Sequence, residues 1–189
     1  MFLVWVVKNK NMLLMKWLKV NKGVWKENTS EAAAWLGNLD KMMWLKKNKY
    51  PWDKNTFFAA VCNGNLTNMM WLKENKCPWD EEACWKGAVW HENLENMVWL
   101  KENKFLWSTR TFMAAAWNGN LTNMMWLKKN KCPWDVITFR AAARNGNLKN
   151  MMWLKKNECP WDKFTYSEAF KHGNVENIKW LEKNGCPIV

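Results

Sequence analysis

Two series of tryptophans run through the chain in step. One stands at Trp17, Trp44, Trp71, Trp99, Trp126, Trp153 and Trp180, and the other at Trp25, Trp52, Trp79, Trp107, Trp134 and Trp161. Both repeat every 27 residues, and both take the same one-residue insertion between positions 71–79 and 99–107. Two ladders locked in phase make the chain a tandem array, because a unit this short cannot bury an apolar face alone and must stack on its neighbours.

The period divides the chain into an N-terminal cap with an unpaired helix at 1–22, six units at 23–49, 50–76, 77–104, 105–131, 132–158 and 159–185, and a stub at 186–189. In the most regular unit a small-residue segment, Ala114-Ala115-Ala116, leads to Asn118-Gly119, and a second apolar segment runs from Leu121 to Leu127. Each unit therefore reads as two short helices. Gly119 fits the left-handed residue beyond a helix end, and Asn120 fits the cap of the next helix. Asp53, Asp80, Asp135 and Asp162 recur after Pro-Trp and read as caps of the first helices, not as acid/base catalysts, since four copies stand in equivalent turns, no His adjoins any of them, and only Asp80 is followed directly by carboxylates, Glu81 and Glu82.

Plotted at 100° per residue, the apolar positions of the second helix spread around Leu121, Met124, Trp126 and Leu127, an arc too wide for one buried stripe. A helix held by its own partner and by both neighbouring units has such an arc. The Met column at 42, 69, 97, 124 and 151 is then core filler. Asn follows each ladder Trp four residues on, at 21, 48, 75, 103, 130, 157 and 184, where it is expected to close the helix in a left-handed or side-chain-bonded turn.

Composition narrows the function classes. An apolar share of 49% with 18 Trp excludes a disordered chain. Two His, no Gly-x-Gly-x-x-Gly loop and no phosphate-loop Gly-Lys-Ser/Thr argue against an enzyme, and no cofactor is expected. Four of the six Cys occupy equivalent unit positions. Equivalent residues of adjacent units stand about one helix-packing step, about 10 Å, apart, beyond the disulfide limit of about 7 Å between Cα atoms, so buried reduced thiols are expected. The apolar run at 1–7 is far shorter than the roughly 20 residues of a spanning helix, and Lys8 and Lys10 follow it, so neither a transmembrane segment nor a secretory leader is expected. The expected setting is inside a cell.

The Thr111-Phe-x-Ala-Ala-Ala-x-x-Gly119 segment, followed by Leu121-x-x-Met124-x-x-Leu127 and, in the last unit, by Asn184-Gly185-Cys186, resembles the ankyrin repeat in a short form. The likeness covers nearly the whole chain from about residue 9, and the Cys-Pro-Trp-Asp spelling at 77–80, 132–135 and 159–162 is similar to arrays in giant DNA viruses of protists. The family's unit is 33 residues with a Thr-Pro-Leu-His motif, whereas this chain is about six residues shorter and has Thr-Phe. The fold so implied is all-α, an ankyrin-like helix-pair solenoid with short turns and reduced or absent β-hairpin fingers. The resemblance implies a protein-protein interaction scaffold, and a viral one would engage host or viral partners in the host cytoplasm or nucleus, or in the virion.

Departures from the shared pattern mark candidate sites. Trp35, Trp85, Trp90 and Trp117 stand in first helices where other copies carry smaller or different residues, and they are the candidate protein-binding anchors. The alternative for each is partial packing against adjacent helices. Lysines form two columns near second-helix ends, of which Lys46, Lys49, Lys73, Lys76, Lys101, Lys104, Lys128, Lys131 and Lys155 are candidate polyanion contacts. Helix dipoles favour cations there. The net charge of +12 exceeds that need, so an acidic protein or a nucleic acid is the alternative partner, although A·T-biased codons would also enrich Lys and Asn. Association of copies through an exposed end or face is a further expectation.

Overall fold

The computed structural model describes residues 12–13, 16, 20, 27–80, 87, 94–173 and 175–188. Eleven helices, and no strand, are present among the described residues. None is long and apolar enough to cross a membrane. The chain divides into two compact units, Met1–Ala83 and Cys84–Val189.

The first compact unit contains α1 (Glu27–Trp35), α2 (Leu39–Lys47), α3 (Lys54–Asn63) and α4 (Leu66–Glu74). The second contains α5 (Leu94–Glu102), α6 (Thr109–Asn118), α7 (Leu121–Lys129), α8 (Val136–Asn145), α9 (Leu148–Lys156), α10 (Lys163–Lys171) and α11 (Val175–Lys183). At nine or ten residues, each is below the roughly 12–15 needed for a helix to persist alone in water, so tertiary packing must hold it. In the first unit α1 pairs with α2, α3 with α4, and α1 lies on α3. In the second α6 pairs with α7, α8 with α9 and α10 with α11, while α8 lies between α6 and α10.

Local sequence sets the helix ends. Asp53, Asp135 and Asp162 cap α3, α8 and α10, each accepting from backbone N–H groups of the first turn. The backbone N–H groups of these three, and of Ser108 before α6, donate in return to Thr56, Thr138, Thr165 and Thr111 hydroxyls. Each cap stabilises its helix by about 1 kcal/mol. Asp80 is described, but the residues after it are not, so its expected capping role lies outside the described residues. Asn38, Asn65, Asn120 and Asn147 cap the second helices. Gly64, Gly119 and Gly146 end first helices in the left-handed region, with φ of 76°, 75° and 86°.

The second helices end differently from one part of the expectation. Asn48, Asn75, Asn103, Asn130, Asn157 and Asn184 are not left-handed where their caps are described: Asn130 has φ of −92°. Instead each side-chain amide donates to the carbonyl of the ladder Trp, as Asn130 Nδ2 does to Trp126 at 2.8 Å. The left-handed residue is the next one, Lys49, Lys76, Lys104, Lys131 or Glu158, with φ between 57° and 63°, or Gly185. Lys131 N–H donates to Lys128 and Cys132 N–H to Leu127, the two bonds of a Schellman turn. This turn places Cys77, Cys132, Cys159 and Cys186 in the interior.

In the first unit buried Phe57, the alanines of α1 and α3, Met42, Met69, Leu45 and Leu72 form the core, and in the second Phe112, Phe139, the alanines of α6 and α8, Met97, Met124, Met151, Leu100, Leu127, Leu154 and Leu181 do so. Both Trp ladders serve it. Trp134 meets Phe112 of the preceding repeat at 5.0 Å and stands edge-on to Trp153 at 6.0 Å, and Trp161 repeats this with Phe139 and Trp180. The thiols of Cys77, Cys132, Cys159 and Cys186 point back one repeat, Cys77 Sγ to the Asp53 carbonyl at 3.4 Å and Cys159 Sγ to that of Asp135 at 3.7 Å. Cys77, Cys132, Cys159 and Cys186 are free and buried, and Cys62 is buried in α3.

Candidate functional site

On the second compact unit, α6, α8 and α10 lie side by side, each with part of its surface left exposed. Positions 27 apart fall in register, so Met113 stands beside Arg140, Trp117 beside Arg144 and Ile137 beside Phe164. Together with Ala141 and Glu168 these side chains line a groove of about 250 Å³. Trp117, Ile137 and Phe164 are 44%, 47% and 49% exposed, a grouping of bulky apolar side chains that folding has left in water.

The two arginines in the groove have different employment. Arg140 Nε donates to Asp162 Oδ1 at 3.0 Å and its terminal nitrogen pairs with the other oxygen. This fork ties α8 to the cap of α10 and holds the Asp162 carboxyl below the usual carboxylate range. Arg140 also lies 4.7 Å over the Phe164 ring. The Arg144 guanidinium lies 4.1 Å over the Trp117 ring, and its nearest acid is Glu168 at 4.0 Å. Glu168 accepts a closer bond, 3.1 Å, from Lys171.

Of the aromatic anchors expected from sequence, Trp35 and Trp117 are exposed at the C-terminal ends of α1 and α6. Each also gives its backbone carbonyl to the next repeat, Trp35 to Asn63 and Trp117 to Asn145. Trp85 and Trp90 lie outside the described residues. Ile137, Arg140, Arg144 and Phe164 were not singled out from sequence. Their signal was column comparison: Arg140 and Arg144 stand at the places of Met113 and Trp117 one period later.

The lysine columns have local work. Lys46, Lys128 and Lys155 place their ammonium groups 3.7, 3.6 and 3.6 Å over Trp52, Trp134 and Trp161, each at the start of the next repeat. Lys101 bonds to Asn130 Oδ1 and lies 5.8 Å over Trp126. Lys49, Lys76, Lys104 and Lys131 hold the left-handed turn positions with exposed side chains. Lys73 is half-buried near the end of α4.

Among the described residues, no group of three or more His, Cys, Asp or Glu side chains comes together as metal ligands would. Burial pushes the thiols of Cys77, Cys132 and Cys159 up to about 12, which keeps them protonated and poor nucleophiles. The chain matches no protein-family model, and comparison with curated proteins yields no match.

Proposed function

We propose that this chain is a non-enzymatic protein-protein interaction scaffold, built as an ankyrin-like helix-pair solenoid with short turns and reduced or absent β-hairpin fingers. The groove formed by Met113, Trp117, Ile137, Arg144 and Phe164 carries the reading, because aromatic and Arg side chains on neighbouring rigid helices make an anchor site for a macromolecule. Its volume, about 250 Å³, lies below the roughly 300–1,000 Å³ range of sites that enclose a whole small ligand. The viral and ankyrin-like character rests on the repeat spelling, as does an engagement of host or viral proteins. Affinity capture with the full chain, set against Trp117→Ala, tests the scaffold: a protein retained by the first and lost from the second supports it. Retention of none, or equal retention by both, would count against it.

A second reading, a basic surface for a nucleic acid or another polyanion, is favoured by Lys104 and Lys131, which keep long cationic side chains at left-handed positions that glycine fills at lower cost. Binding of duplex DNA, single strands and polyglutamate across a salt series checks it. Affinity that falls with salt and with Lys131→Gly is expected on this reading.

A further inference from the structure

We infer that the groove on α6, α8 and α10 receives an acidic peptide segment of a partner protein, with a carboxylate on Arg144 and a bulky apolar side chain against Trp117, Ile137 and Phe164. The inference rests on the scaffold reading and names the chemistry of its partner.

Charge decides between the two arginines. Arg140 is consumed by Asp162, which also caps α10, so a ligand would have to break both interactions to recruit it. Arg144 donates no hydrogen bond within the described residues, and its contact with Glu168 is 4.0 Å long. Lys171 stands 3.1 Å from Glu168 and can hold that acid when Arg144 turns to a ligand. The Trp117 ring supports one face of the Arg144 guanidinium, and a stacked guanidinium offers its edge, the geometry that accepts a carboxylate in a two-bond fork.

The apolar half of the ligand follows from what shares the groove with that guanidinium. Trp117 lies against it from α6, while Ile137 and Phe164, one repeat apart, line the same groove about two helical turns away, beyond Arg140. An acid alone would leave these side chains in water, and an apolar ligand alone would leave Arg144 without an acceptor while covering it. A segment carrying both satisfies each. The net charge of +12 draws such a segment in over distances beyond contact.

Display of random short peptides, selected on the full chain at physiological salt, tests the assignment. Enriched peptides are expected to combine Asp or Glu with a neighbouring Leu, Phe or similar residue. Their affinity should fall about 10- to 100-fold with Arg144→Glu, and about tenfold with Trp117→Ala. Arg144→Lys should give an intermediate loss, because it keeps the charge without the fork. An Asp/Glu-to-Lys version of the best peptide should regain binding on Arg144→Glu, which a merely misfolded variant would not permit. Acidic peptides that bind all variants equally would overturn the site, as would displacement by nucleic acid that depends on Arg144. Basic or uncharged peptides lost with Trp117→Ala would overturn the acidic partner and leave the scaffold standing. Selection of no peptide would bring down both.

Discussion

Asn145 Nδ2 donates to the Trp117 carbonyl at 2.9 Å, and Asn145 Oδ1 stands 2.7 Å from where a Cβ on Gly119 would lie. One side chain from the next repeat thus bonds the end of α6 and fills the space a side chain at Gly119 would need, which favours glycine there. Asn63 has the same relation to Trp35 and Gly37 in the first compact unit, at 3.0 and 2.5 Å.

Gly119→Ala therefore meets two obstacles, a left-handed backbone at φ of 75° and the Asn145 amide. It should lower stability by about 2 kcal/mol in urea titration, and Asn145→Ala by about 1 kcal/mol. The double variant should lose less than the sum, because removing Asn145 vacates the space the new methyl needs. Additive losses would mean the two residues act independently.

Lys131→Gly should have the opposite sign. Lys131 is left-handed at φ of 60° with an exposed side chain, and Gly185 holds the equivalent place in the last repeat. A stabilisation of about 0.5–1 kcal/mol is expected by the same titration. No gain would show that the Lys side chain contributes as much as the backbone costs.

A column of buried amides should also be improvable. Asn68, Asn123 and Asn150 are at most 1% exposed, and neither amide atom of any of them meets a hydrogen-bonding partner. Lys41 holds the equivalent position in α2. Asn123→Ala removes an unmet donor and acceptor from α7 and leaves the backbone bond of residue 123 to the Asn120 side chain intact. Thermal melting should show a gain of about 1 kcal/mol. A clear loss would place an ordered water or another satisfying group at the amide.

The thiols give a pH signature. The Cys159 thiol is pushed up to about 12, first by burial and then by the negative charge of Asp135. An acid whose folded value is raised contributes stability that is complete below its unfolded value, about 8.5, and is lost as pH climbs toward the folded one. Stability should therefore decline on the alkaline side. At mildly alkaline pH, mass spectrometry after iodoacetamide treatment should find Cys132 and Cys159 unmodified in the folded chain and modified in denaturant. Asp162 works in the other direction. Its carboxyl is held down first by the hydrogen bond from Arg140, so its contribution is present above the ordinary carboxylate value and disappears as pH falls through the lowered one. Arg140→Met should flatten that acid limb.

Much of the local structure was legible in the residues themselves. Asp135 as a cap, Gly146 as a left-handed terminator, Asn147 as the next cap and the buried Met column all follow from short-range rules of chain geometry and periodicity. Those rules act within a few residues, so one repeat suffices to read them. They could not choose between Asn130 and Lys131 for the left-handed turn, since that choice depends on the Asn130 amide reaching the Trp126 carbonyl and on Cys132 being drawn inside.

The relations between repeats were decided by packing. Lys128 over Trp134, Cys159 against the Asp135 carbonyl and Arg144 over Trp117 join residues 6, 24 and 27 positions apart, and each depends on how one helix pair settles on the next. The sequence alone determined the period, the helix pairs and their caps, because these are encoded in local backbone preference. Only the tertiary structure decided which cations are engaged by aromatic rings and acids, and that Arg144, stacked on Trp117, shares a groove with exposed Ile137 and Phe164, because those relations arise from helices brought together in space.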